Sequence, residues 1–266
     1  MAIEQSVIVP AYKEKLNIKP LTTRLFAALG NEGSRKTELI FVDDNSQDGS
    51  VEEVEKLQKQ GYNVNIIVRT DERGLSSAVL RGFQEAHGEL LICMDADLQH
   101  PPESVPILFE SLKTHPFAIG TRYAPGVGID KDWPLYRRVI SSTARMMARP
   151  LTTASDPMSG FFGLQKKYLL AANPADINSQ GFKIALELLA KLPLPEDSTL
   201  GEVPFSFGVR TEGESKLSGK VIIQYLEQLK ELYSYKFGLG NLLIFVLCWA
   251  ILVLYALNKM LGFIWA

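Results

Sequence analysis

Four short apolar runs, each ending on a polar cluster and each followed by a helical pattern, narrow the folds open to this chain more than any other feature. Residues 6–10 run apolar to a proline and lead into Ala11-Tyr12-Lys13-Glu14, after which a helical pattern covers 17–29. Residues 37–42 form the second run and end in Asp43-Asp44-Asn45-Ser46. Ser50 reads as the N-cap of a helix over 51–60, with Glu53 three residues on as in a capping box. A strand over 64–68, a helix over 74–86 and a strand over 90–94 complete the series. Strands and helices alternating at this spacing predict βαβ units and a largely parallel sheet. Open sheets of this kind bind ligands beyond the carboxyl ends of their strands. That rule gathers Tyr12 and Glu14, Asp43 and Asp44, and Asp95 and Asp97 at one edge.

The fourth run, Leu90-Leu-Ile-Cys-Met94, stops abruptly at Asp95-Ala96-Asp97. Residues two apart in an extended chain face the same side, so the two carboxylates share one spot, with Gln99 next if the extended trace continues. Converging carboxylates repel unless a cation lies between them. Their hard oxygens suit Mg²⁺ or Mn²⁺, commonly completed by substrate phosphates. The tripeptide alone is not diagnostic, because Asp130-Lys131-Asp132 repeats it in a Gly-rich loop with no strand before it. Neither glycine fingerprint for nucleotides is present: Gly126-Val-Gly128 lacks the third glycine of a dinucleotide loop, and there is no Gly-x4-Gly-Lys-Ser/Thr. Carboxylates therefore line the crevice, able to accept hydrogen bonds from a base and ribose. For Asp43 a turn and helix-cap role is the competing reading.

A net charge of −2 gives no basic field for nucleic acid. The cysteines, Cys93 and Cys248, suggest neither a disulfide nor a thiolate metal site, and the first residues lack the pattern of a signal peptide. Residues 239–257 are nineteen positions without a charge. As a helix they span about 28 Å, the thickness of a bilayer's hydrocarbon. Lys220, Lys230 and Lys236 precede this stretch and only Lys259 follows it, which predicts a single C-terminal span with the rest of the chain on the cytosolic side. The expected organisation is a catalytic domain over 1–216, an amphipathic juxtamembrane helix over 217–237, and an anchor with a short tail over 238–266.

Between these landmarks, residues 134–149 read as a helix with Arg137, Ser141 and Arg145 on one polar stripe. Two guanidinium groups flanking a hydroxyl suit a phosphate monoester. Arg137-Arg-Val-Ile-Ser141 also has the form of a basophilic kinase site, where phosphoserine would repel an anionic acceptor. Residues 182–192 read as a core helix, and 201–210 as a strand kept near an edge by Pro204. Ile222, Tyr225, Leu226, Leu229, Leu232 and Tyr233 form a helical stripe leading to the apolar stretch. His87, His100 and His115 share no ligand spacing and read as structural or surface groups.

Together, Ser6-Val-Ile-Val-Pro-Ala-Tyr-Lys-Glu14, Phe41-Val-Asp-Asp-Asn-Ser-Gln-Asp-Gly-Ser50 and Met94-Asp-Ala-Asp-Leu-Gln-His-Pro-Pro102 resemble the family 2 glycosyltransferases of the GT-A fold, on the branch that mannosylates polyprenyl phosphate. Gly120-Thr-Arg-Tyr123, Asp156-Pro-Met-Ser-Gly-Phe161 and Arg210-Thr-Glu-Gly-Glu-Ser-Lys216 extend the match. The resemblance implies an α/β fold of GT-A type, a Rossmann-like open mixed sheet with flanking helices, plus one C-terminal transmembrane helix. It implies that Pro10, Tyr12, Glu14, Val42 and Asp44 hold the nucleotide of GDP-mannose, and that Asp95, Ala96 and Asp97 contact the nucleotide sugar. Asp97 and Gln99 would bind Mg²⁺ or Mn²⁺ with Asp95 supporting, and Arg122, Arg210 and Lys216 would surround the phosphates. Arg122, Arg137 and Ser141 would take the acceptor phosphate.

The implied reaction is inverting transfer of mannose to dolichyl phosphate, supplying protein glycosylation and GPI-anchor pathways at the endoplasmic reticulum membrane. A chain with its own anchor would need no obligatory protein subunit. An acceptor phosphate is already mostly dianionic at neutral pH and needs no general base. Two alternatives stay open: a polyprenyl-phosphate glucosyltransferase using UDP-glucose, and, in a different class, a metal-dependent phosphatase or a membrane-tethered nucleotide-binding adaptor.

Overall fold

The computed structural model describes residues 2–124, 135–181, 183–206, 219–238 and 240, with backbone alone for 135–139 and 219–221. Strands β1 (Gln5–Ala11), β2 (Thr37–Asp43), β3 (Val64–Val68) and β4 (Leu90–Cys93) pair in parallel in the order β3-β2-β1-β4. β5 (Phe117–Thr121), β6 (Phe162–Gln165) and β7 (Gly201–Pro204) extend this to seven strands, ordered β3-β2-β1-β4-β6-β5-β7. β6 runs antiparallel to both β4 and β5, whereas β7 is parallel to β5, so one reversed strand makes the sheet mixed. Pro204 lies on the edge strand β7, where a missing N–H donor is tolerated.

Alternation along β1 sends Val7 and Val9 to one face and Ile8 to the other. On the first face they meet Ile18, Leu21 and Leu25 of α1 (Lys15–Lys36), Val54 and Leu57 of α2 (Ser50–Lys59), and Leu108 of α4 (Val105–Leu112). On the second, Ile8 packs with Ala78, Val79 and Phe83 of α3 (Leu75–Glu85) and with Leu188 of α7 (Ile184–Lys191). A Cβ on Gly82 would stand 2.4 Å from Ile8 Cγ2, so α3 can sit this close to β1 only without a side chain there. Phe117 and Phe162 stack at 5.6 Å across β5 and β6, and burying each such ring contributes about 1.5–3 kcal/mol. A third cluster joins α5 (Leu135–Ala148), α7 and α8 (Gly219–Phe237) through Ala148, Leu151, Met158, Leu186, Tyr225, Leu229 and Leu232. The short α6 (Lys166–Ala171) lies against the second face through Leu169.

Several expectations shift. The helix expected over 17–29 continues to Lys36 past a break at Gly30, whose φ of 65° is non-helical. The capping box does not form. Ser50 is the first helical residue, its hydroxyl donates to Asp48 Oδ1 at 2.6 Å, and Glu53 pairs with Lys56. Of the strand expected over 201–210, Gly201–Pro204 is strand and residues 207–210 lie outside the described residues. So do Phe182, Asp130-Lys131-Asp132 and, apart from Gly240, the apolar stretch 239–257. Among the described residues no helix is long and apolar enough to cross a membrane.

Candidate active site

β1 is in register with β2 to the pair Ala11 and Asp43, so their following loops leave the sheet together; Asp44 N–H donates to the Ala11 carbonyl at 3.1 Å. Met94 N–H donates to the Ile8 carbonyl, which carries the chain after β4 along the same edge. Among the described residues, Lys13, Asn45, Gln47 and Leu98 are the non-glycine positions with positive φ, at 60, 59, 51 and 62°. All four lie in these three loops. Each such residue costs on the order of 1–3 kcal/mol, held only where surrounding bonds over-determine the backbone.

Those bonds are visible. Buried Asp43 accepts from Ser46 N at 2.8 Å and from the Ser46 hydroxyl, and Ser46 Oγ accepts from Lys13 N at 2.7 Å. Asp43 is thus a turn group that stitches two loops, the competing reading given for it above. Asp44 accepts from Arg69 Nε at 2.8 Å, from Arg69 Nη2, and from Gly74 N at 2.9 Å. A carboxylate has about four acceptor positions, so Asp44 keeps about one for a ligand. Arg69, buried after β3 and also bonded to Ser77 at 2.8 Å, was missed by the sequence reading; a lone basic residue closing an apolar strand was its one signal.

Tyr12 is 38% exposed, with Lys13 Nζ and Arg73 Cζ at 5.5 and 5.6 Å from its ring centre. An exposed ring bordered by cations suits stacking against a base. Pro10 is half-buried at the end of β1, and Glu14 accepts from Asn17 Nδ2 at 2.7 Å. Val42 is fully buried beneath this loop, packed toward Ile8 and α3, so its side chain forms the crevice floor and any contact to a nucleotide would be through its main chain.

Beyond β4 the extended trace does not continue. Residues 96 and 97 turn, Leu98 is left-handed, and Asp97 Oδ1 accepts from Gln99 N at 3.1 Å. A turn, and not strand alternation, sets Asp97 and Gln99 near Asp95. Ala96 and Asp97 are buried, while the Asp95 side chain is 40% exposed. His100 lies under this turn, stacked on Phe161 at 5.2 Å and edge-on to Phe205. Its Nδ1 accepts the Asp95 N–H at 3.0 Å, and burial lowers its pKa, so the neutral ring shapes the turn. A Cβ on Gly160 would stand 3.3 Å from both Asp95 Oδ1 and His100 Cε1, so a side chain there would crowd the Asp95 carboxylate.

Two carboxylates at a turn fit a hard divalent cation. Among the described residues no group of three or more His, Cys, Asp or Glu is arranged to hold a metal, and substrate oxygens and water commonly complete the shell of Mg²⁺ or Mn²⁺.

Arg122, after β5, donates to buried Asp156 through Nε at 2.7 Å and Nη2 at 3.0 Å. Burial opposes its charge, yet Asp156, with Asp95 nearby, raises its pKa above the ordinary value, making it a permanent cation. Its Cζ is 5.9 Å from the Tyr123 ring centre, and Arg145 Cζ is 4.0 Å from the same ring. Tyr123 Oη and Ser141 Oγ are 3.0 Å apart. Ser141 and Arg145 of the expected stripe therefore converge on Tyr123 and Arg122. Arg137 belongs to α5, but its side chain, like the whole of Arg210 and Lys216, lies outside the described residues.

This geometry has known counterparts. The profile of Glycosyl transferase family 2 matches residues 6–170. A dolichol-phosphate mannosyltransferase of Saccharomyces cerevisiae is 79% identical, aligned over 96% of each chain. One of Mycosarcoma maydis is 58% identical, over 97% of this chain and 88% of its own. In fold, the chain is similar to glucosyl-3-phosphoglycerate synthase of Mycobacterium tuberculosis, solved with Mn²⁺, UDP and glucosyl-3-phosphoglycerate, at a TM-score of 0.60 and 20% identity, covering 88% of this chain and 80% of that one.

Proposed function

The chain belongs to glycosyl transferase family 2, and from that premise we propose how its residues perform the dolichol-phosphate mannosyltransferase activity it shares with its close relatives. GDP-mannose lies across the carboxyl ends of β1, β2 and β4. Tyr12 stacks on the base, Glu14 and the remaining acceptor position of Asp44 receive its N–H or ribose O–H groups, and main chain at Pro10 and Val42 lines the bed. The diphosphate reaches Asp95 and Asp97. A divalent ion held there with Gln99 would neutralise charge on the departing GDP. Arg122, Arg210 and Lys216 add fixed cations where that charge develops.

The observation that carries this reading is the position of Arg122. It feels Asp95 on the donor side and meets Tyr123, the partner of Ser141, on the other. Donor and acceptor phosphates can thus share one cation, with Arg137 and Ser141 completing the acceptor site. The acceptor dianion attacks the anomeric carbon in line and inverts it. No proton need be removed, in keeping with a buried His100 whose Nδ1 already accepts the Asp95 N–H.

The catalytic domain spans 1–216 and the juxtamembrane helix 217–237, with 238–266 anchoring the chain in the endoplasmic reticulum membrane, catalytic domain toward the cytosol. Anchoring keeps the site beside its lipid acceptor. The test is mannose transfer to dolichyl phosphate with GDP-mannose and UDP-glucose in competition, with and without Mg²⁺ or Mn²⁺. Mannose alone should transfer, and Arg122→Met should lose activity with either substrate saturating. Transfer of glucose, or phosphate release without a sugar donor, would sink the assignment.

A further inference from the structure

Lys183 belongs to no motif in the sequence, yet the loop that organises the site also holds it. Within residues 156–160, Asp156 grips Arg122, the Met158 carbonyl accepts from Lys183 Nζ at 3.2 Å, and Gly160 has no side chain to crowd the Asp95 carboxylate. Three charged groups, Asp95, Arg122 and Lys183, are therefore arranged around five residues.

The backbone of Lys183 is fixed with equal care. Its N–H donates to Gln228 Oε1 at 3.0 Å and its carbonyl accepts from Gln228 Nε2 at 3.1 Å. The same Nε2 donates to Glu187 Oε2 at 3.0 Å, and Gln228 itself is buried. Two residues earlier, the Gly181 carbonyl accepts from the Ser76 hydroxyl. A side-chain amide thus pairs with one residue's main chain as a neighbouring strand would, and ties α8 to the start of α7.

Placing an ammonium here has an electrostatic cost. Burial, and then the Arg122 charge, lower the pKa of Lys183, while Asp95 and Asp156 act in the opposite direction. A bound anion adds to the stabilisation that Asp95 and Asp156 already give these cations. The anion's side is indicated by packing: Met158 and Leu186 share a cluster with Ala148 of α5 and with Tyr225, Leu229 and Leu232 of α8. That cluster reaches α5, the helix that carries Ser141.

We propose that Lys183 binds the phosphate of the lipid acceptor together with Arg122, and that Gln228 of α8 is its positioning residue. The proposal rests on the reading of the acceptor as a lipid phosphate monoester. Lys183 supplies charge and a hydrogen-bond donor; no bond to it forms or breaks.

The test uses the full chain in lipid, with GDP-mannose and dolichyl phosphate, alongside direct titration of GDP. Lys183→Met should raise the acceptor KM about tenfold or more, the loss of one charge-assisted hydrogen bond, with GDP affinity within about twofold of wild type. Lys183→Arg should recover most of that loss. Gln228→Leu should raise the acceptor KM about three- to fivefold, again sparing GDP, as expected of misplacement by a fraction of an ångström. If Lys183→Met does not fold, Lys183→Gln and Gln228→Leu carry the same comparison. An acceptor KM unchanged in folded variants, an equal loss of GDP affinity, or failure of Lys183→Arg to recover binding overturns the proposal. Wild-type protein that transfers no mannose to dolichyl phosphate would overturn the acceptor reading itself, a result distinguishable because it needs no variant.

Discussion

On the nucleotide side of the crevice, the bonds that shape the site join residues three to 33 apart: Asp43 with Ser46, Asp44 with Arg69, Lys13 with Ser46. On the acceptor side Tyr123 with Ser141 and Arg122 with Asp156 are 18 and 34 apart, and the bonds from α8 reach much further. Gln228 meets Lys183 across 45 residues, Tyr225 donates to the Ala144 carbonyl across 81, and Tyr233 to the Met147 carbonyl across 86. One half is a set of tight turns on parallel strands, strained and locally braced. The other is a set of helices held by polar side chains of α8, which donate to carbonyls in the last turns of α5. On the proposed function, a nucleotide, a small rigid ligand, is met by the braced turns and a phosphate on a long lipid by the helices, with Arg122 shared between them.

The sharpest way to break this comparison is at the turn of Asp95 to Gln99, proposed to hold the metal. Asp97→Asn should reduce mannose transfer about 10³-fold, as expected when charge on a leaving group loses its fixed partner; loss of less than tenfold would detach Asp97 from the chemistry. Next comes the pair that joins the halves. Asp156→Ala leaves Arg122 buried without its bidentate partner and should destabilise the fold by about 3–5 kcal/mol in urea unfolding, with acceptor KM rising more than GDP affinity falls. Asp44→Asn should show the reverse preference, weakening GDP and sparing the acceptor.

Gly160→Ala should act on geometry alone. Its Cβ would press on Asp95 Oδ1 and His100 Cε1, both at 3.3 Å, and cost about tenfold in kcat for a shift of a few tenths of an ångström. The smallest effect is on stability at the α7–α8 junction. Burial works against the Glu231 carboxylate, but bonds from Lys191 and Asn178 hold its pKa below the ordinary 4.5. A lowered folded pKa gives stability that is present above pH 4.5 and lost as pH falls through the folded value. Glu231→Gln should flatten the fall in Tm below pH 4.5 and leave neutral-pH activity unchanged; an unaltered acid slope would remove Glu231 from that balance.

The same contrast explains what the sequence disclosed. β3 is the segment expected, residue for residue, because its apolar run has turn signals at both ends. The loops after β1, β2 and β4 were legible because their acids follow strands directly. The capping box was misread because Ser50 has acids on both sides, and the one before it, Asp48, also accepts its backbone N–H at 3.0 Å. β5 and β6 were not read as strands although they match β3 and β4 at five and four residues, so length was not what hid them. Lys183 and Gln228 were unread for a different reason: their roles lie in each other, and nothing local in either marks the partner.

The reversed strand also sets an order of assembly. β3, β2, β1 and β4 form a complete parallel unit once residue 93 has been synthesised. β5 is made next but has no place to dock, because β6, which separates it from β4, is about forty residues further along. As the chain leaves the ribosome, the nucleotide half can therefore fold while the acceptor half is still unfinished. A nascent chain arrested after α4 and tested for protease resistance would report that first unit alone. Mannose transfer would arise last, once α8 has brought Gln228 to Lys183.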